Sequence, residues 1–134
     1  MKIFKITLFA FIATLALSTS VALADNNWYF AGITFTRSES PYTSSSHKKI
    51  YESNQKFTLD SCKDKTFWSS RNLYVRVVNE GTAQMTSYHE LEEKETYTFT
   101  SPFVRLQNLN YFLNMQIANP LVSSVYFSAT WYLD

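Results

Sequence analysis

LQNLNYFLNMQIANP, residues 106–120, is where two architectures part. At helical spacing its apolar residues scatter Asn110, Asn114 and Gln116 around the helix and leave no polar face, a poor pattern for an amphipathic helix lying on a membrane. At a period of two the alternation is strict. Leu109, Tyr111, Leu113, Met115 and Ile117 fall on one side, and Asn110, Phe112, Asn114 and Gln116 on the other. Pro120 closes the segment at strand length. The stretch reads as a half-buried strand.

The same period recurs outward from it. In SVYFSATWYL (124–133), Val125, Phe127, Ala129, Trp131 and Leu133 share a face. In NLYVRVVNEG (72–81), Leu73, Val75 and Val77 oppose Tyr74, Arg76 and Val78. WYFAGITFTR (28–37) sets Tyr29, Ala31, Ile33 and Phe35 against Trp28, Phe30, Thr34 and Thr36. KFTLD and TYTFT add shorter alternating pieces around Phe57, Leu59, Tyr97 and Phe99. Such segments, rich in aromatic and β-branched residues, are strands. Turn signals separate them: the serine-rich loop 38–49, a tight turn at Asn79–Glu80–Gly81 with Gly81 at positive φ, an acidic connector with a helical turn at 89–95, and Ala118–Asn119–Pro120. Short strands at roughly ten-residue intervals predict an all-β fold, an antiparallel β-sandwich of about seven strands. Having Gly32 and Gly81 as its only glycines disfavours a tightly curved barrel.

Upstream of this domain, Lys2 and Lys5 precede an apolar run from Ile6 to Leu17, and Ala22–Leu23–Ala24 supplies a small-x-small site before the polar Asp25–Asn26–Asn27. This is the pattern of a signal peptide over residues 1–24, cleaved between Ala24 and Asp25, and it places the protein outside the cell. The apolar run is shorter than the roughly 20 residues of a spanning helix. The expected sandwich domain is residues 25–134, which carry ten basic and eleven acidic residues, one net negative charge. That balance gives no basic field for nucleic acid and no simple electrostatic attachment to anionic lipid, so membrane contact is not favoured.

The inventory of reactive groups is thin. Cys62 has no second cysteine, so no intrachain disulfide forms. Its neighbours Asp60, Lys63, Asp64 and Lys65 suggest an exposed polar loop, and the thiol is either reactive or a small packed hydrophobe. His47 and His89 lie far apart and show no zinc-ligand spacing with Cys62. No nucleophile elbow, phosphate loop or metalloprotease helix occurs. Glu90, Glu92, Glu93 and Glu95 match no calcium loop and read as a solvated connector. The sequence therefore predicts no catalytic residue, no metal site and no cofactor.

Aromatic residues make up 17% of the chain. Most belong in a sandwich core. Trp68, in KDKTFWSSRN between a charged loop and a strand, and Tyr42, in the serine-rich loop, are the candidates for partner binding.

Four stretches carry a resemblance: ALADNNWYF (22–30), SPYTSSSHKK (40–49), KTFWSSRN (65–72) and VYFSATWYLD (125–134). With them the chain resembles a family of small secreted proteins of Gram-positive bacteria encoded near bacteriocin-type or transporter genes. More distantly it is similar to the lactococcin 972-like bacteriocins, which share a signal peptide, a Tyr/Ser/His loop and an aromatic terminal strand. It departs from the latter in length and in its few glycines, and neither resemblance implies a catalytic residue. The expected function is a secreted, non-enzymatic β-sandwich that binds a cell-surface or extracellular partner. The alternative is a bacteriocin-like, membrane-active antibacterial protein.

Overall fold

A computed structural model describes residues 26–39 and 41–134. The expected signal peptide and its Ala24/Asp25 junction lie outside the described residues.

Among the described residues, nine strands form two antiparallel sheets. In chain order they are β1 (Asn27–Thr36), β2 (Tyr42–Thr43), β3 (His47–Lys48), β4 (Gln55–Asp64), β5 (Leu73–Asn79), β6 (His89–Leu91), β7 (Thr96–Phe99), β8 (Asn110–Ile117) and β9 (Ser124–Tyr132). The first sheet has the order β1-β9-β4-β7, and the second β2-β8-β5-β6, with β3 also paired to β8. The fold is the expected antiparallel sandwich. The count exceeds seven because the serine-rich loop contributes two short pieces along β8 and the acidic connector contributes β6 instead of a helical turn.

The deciding stretch is β8. Tyr111, Leu113 and Met115 are fully buried and Ile117 nearly so, facing Phe127, Ala129 and Trp131 of β9 across the core. Asn114, on the other face, is nonetheless buried, its amide bridging Thr43 and Arg76. The alternation of β9 and β5 also stands as expected. Two polar side chains cross the core in satisfied pairs: the Trp131 indole donates to Gln55 Oε1 at 3.0 Å, and Gln55 Nε2 donates to the Val104 carbonyl at 2.8 Å.

Three expectations are corrected. In β1 the parity changes at a bulge in which Ala31 and Gly32 together stand opposite Ser128. Phe30 therefore packs inward with Ile33 and Phe35, and Tyr29 is 72% exposed. Gly32 has φ +60°, and a Cβ there would collide with the Tyr126 hydroxyl, so only glycine fits. Second, the polar-looking segment after Asp60 is not a loop. β4 continues to Asp64 through a second bulge, at Asp60, also beside Ser128, and Cys62 is fully buried opposite Phe127. Third, Gly81 does not take positive φ; Ala83 does, in a turn where Asn79 Oδ1 accepts from the Gly81 and Thr82 amides.

At one end of the sandwich Lys49 is 0% exposed. Its ammonium donates to Ser53 Oγ at 2.8 Å, to Asp134 Oδ1 at 3.0 Å and to the Leu133 carbonyl. Asp134 also accepts from the Tyr51 and Ile50 amides and from Asn26 Nδ2. Burial draws the Lys49 ammonium below its ordinary pKa against the pull of Asp134. For Asp134, burial opposes the charge, and the hydrogen bonds from Asn26, Tyr51, Lys49 and Ile50 outweigh it, leaving the carboxyl lowered.

Candidate functional site

The opposite end is built by the connection from β4 to β5. Asp64, the last residue of β4, brackets the turn. Its amide donates to the Ser69 carbonyl at 2.8 Å, and its own carbonyl accepts from the Trp68 amide at 2.8 Å. Its Oδ1 accepts from the Thr66 amide at 2.8 Å and the Phe67 amide at 3.3 Å, and its Oδ2 accepts from Arg71 at 3.4 Å. The Thr66 amide above all, then Phe67 and the Arg71 guanidinium, hold this carboxyl below the usual carboxylate range despite partial burial.

So braced, the turn sends its two aromatic side chains outward. Phe67 is 78% exposed and Trp68 58%. Trp68 sits at φ 57°, left-handed backbone that costs a bulky residue about 1 kcal/mol and persists only where surrounding contacts impose it. The Trp68 ring lies 5.5 Å from the ring of Tyr126, on the outer face of β9, and Lys65 Nζ lies 5.5 Å from the same ring. The Lys65 amide bonds to the Ser124 carbonyl, which brings the β8–β9 connection alongside; there Leu121 is 92% exposed. Ser70 and Arg71, continuing from the turn, line an open cleft of about 460 Å³ with Asn72, Glu90 and Asn119. Its walls are polar, with Asn72 Nδ2 donating to Glu90 Oε1 at 3.1 Å.

Trp68 thus stands where an exposed aromatic was expected. Tyr42 does not. Its ring packs 5.5 Å from Phe35 and 6.0 Å from Phe127, sealing the core between the sheets, whereas Trp68 lies on the outer face of the first sheet. The two are not one surface: Tyr42 is half-buried and packs against the core. Phe67 was missed, although it is more exposed than Trp68. Phe67 and Trp68 lie in the turn between β4 and β5, where no strand periodicity marks which side chains face out.

The groups with reactive potential are engaged elsewhere. Burial, reinforced by the negative charge of Glu93, pushes the Cys62 thiol up to about 12, which leaves it protonated at neutral pH and a poor nucleophile. His47 stacks on Trp28 at 3.5 Å, and its pKa is lowered by burial. His89 stacks on Tyr97 at 3.7 Å. Lys63 pairs with Glu93 at 2.8 Å. Among the described residues, no group of three or more His, Cys, Asp or Glu side chains is arranged to hold a metal ion.

No family model and no curated protein matches the sequence. Among solved structures, similarity extends to Drosophila melanogaster CENP-C bound to CAL1, at TM-score 0.37 and 8% identity over 79% of this chain and 63% of that one. It extends also to the FeII form of HppE, at TM-score 0.39 and 7% identity over 79% of this chain and 42% of that one. The chain spans less than two-thirds of the length of either.

Proposed function

We propose that this is a secreted, non-enzymatic binding module whose contact surface is the β4–β5 turn, and that its partner is a cell-surface or extracellular molecule. The observation that carries the proposal is the combination of exposure and constraint at Phe67 and Trp68. Two large aromatic side chains are held out in solvent by a bracketed turn, one of them in a backbone conformation that costs energy. Pre-ordered aromatics give contact area at low entropic cost, and Trp is prominent among residues that dominate interface energy. The cleft beside the turn adds Arg71, Asn72, Glu90 and Asn119 as hydrogen-bonding groups. Trp68→Ala and Phe67→Ala should each weaken binding of labelled protein to Gram-positive cells or their isolated walls by about tenfold or more, the scale of a hot-spot side chain. The circular dichroism should be unchanged. A Trp68→Ala protein that binds as well as the parent overturns the assignment.

One observation favours the alternative, a bacteriocin-like membrane-active protein: Phe67, Trp68 and Leu121 project from the same end beside Lys65, a composition that suits the headgroup boundary of a bilayer. Dye release from vesicles of anionic and zwitterionic lipid decides between them, since a binding module leaves vesicles intact.

A further inference from the structure

Each sheet has two edges, and three of the four are guarded. β7 is four residues long and follows Lys94 and Glu95. β6 is three residues with Glu90 at its centre. The edge made by β2 and β3 is split into two-residue pieces, with Pro41 before the first and Lys48 within the second. Shortness, charge, proline and bulges are devices by which proteins keep sheet edges from pairing. β1 has one bulge, at Gly32, and lacks the other three. It runs ten residues, NWYFAGITFT, without a charge or a proline. Among the described residues it pairs with β9 alone. Its one irregularity is the Gly32 bulge, and one further amide, that of Thr36, is capped by Glu39 at 3.0 Å.

We infer that β1 is an association edge, and that its occupant is β1 of a second copy of this chain. A row of backbone N–H and C=O groups is complemented by another extended strand, because only a strand offers acceptors and donors at the same repeat. A two-fold axis runs the two β1 strands antiparallel and matches their lengths. Paired about its centre, the strand sets Asn27 of one copy against Thr36 of the other and Tyr29 against Thr34, uncharged residues that meet without repulsion. The guarded state of the other edges stops growth at two copies, joining two four-stranded sheets into one of eight strands. Because the strands run antiparallel, the β4–β5 turns of the two copies point to opposite ends of the pair. If those turns bind as proposed above, the dimer bridges two partners rather than gripping one twice. The pairing itself rests on the fold and not on that reading.

The purified protein should show twice the chain mass by sedimentation or light scattering in the micromolar range. Tyr29→Lys combined with Thr34→Lys puts an exposed lysine on each side of the bulge, where the two copies' charges repel. This variant should run at the single-chain mass with unchanged circular dichroism. On the unaltered protein, amide hydrogen exchange in β1 should slow as concentration rises, while that of β7 stays constant. A parent at single-chain mass across the range, assemblies larger than two copies, or β1 exchange indifferent to concentration each overturn the inference. So does a folded double-lysine variant that stays paired.

Discussion

Two aspartates at opposite ends of the sandwich use the same chemistry to opposite ends. Asp64 accepts from two backbone amides and a guanidinium, and Asp134 from two backbone amides, an ammonium and an amide side chain. Asp64 gathers its partners from within eight residues of chain and turns aromatic side chains out. Asp134 gathers Asn26, Lys49, Ile50 and Tyr51 from two distant segments and takes a lysine out of water. A carboxylate closing a local turn shapes a surface; one that ties remote segments holds the fold. The difference lies in sequence separation, because severing the second frees far more chain entropy than severing the first.

That contrast can be broken by mutation. Asp134→Ala leaves the Lys49 ammonium buried without its counter-charge, so the loss should be about 3 kcal/mol or more in denaturant melts. Lys49→Met in the same chain should recover much of it, since an apolar stem then replaces the unpaired charge. Asp64→Ala should cost less than half as much. Its effect should be local, with hydrogen exchange quickening at Thr66, Phe67 and Trp68 while the amides of β8 and β9 remain protected. If Asp64→Ala melts the protein as far as Asp134→Ala, the turn is part of the fold and not a surface device.

Acid sharpens the same comparison with smaller effects. Asp64, Glu93 and Asp134 all have lowered carboxyl pKa values, so the unfolded chain protonates first as pH falls below about 4, and stability declines through that range. His47 is also lowered, by burial, so its smaller contribution is present above its ordinary value of 6.5 and is lost as pH falls through its folded pKa. Melting temperature followed against pH should show a shallow limb below 6.5 and a steeper one below 4. His47→Phe, which keeps a ring against Trp28, should flatten the first limb alone.

The sheets were legible because β5, β8 and β9 alternate without interruption, and a period of two assigns every core residue from Tyr111 to Ile117 and from Val125 to Leu133. The misreadings in β1 and β4 have different causes, although both strands bulge beside Ser128 of β9, one on each flank. In β1 the bulge resets parity without any change in composition, so strict alternation puts Phe30 on the wrong face. In β4 the charged neighbours Asp60, Lys63, Asp64 and Lys65 read as a loop, whereas the strand runs on and buries Cys62 between them. At the site, Trp68 was legible because charged neighbours flank it. The left-handed backbone at Trp68 goes with a turn whose Thr66, Phe67 and Trp68 amides donate to Asp64, which composition does not reveal. Tyr42 looked exposed among serines, but its β2 segment lies against β8, which turns the ring beneath the sheet edge.

The position of β9 has a consequence in time. It is last in the chain order of strands yet sits second in its sheet, between β1 and β4, where Asn27 meets Tyr132 and Lys56 meets the same residue from the other side. Neither neighbour can finish its pairing until this strand threads between them; within the first sheet only the β4–β7 pairing is independent of it. Folds dominated by such remote pairings assemble in milliseconds to seconds, slowly for their size. The first sheet, and with it the face of the core that Phe127, Ala129 and Trp131 supply, therefore completes only when β9 enters between β1 and β4.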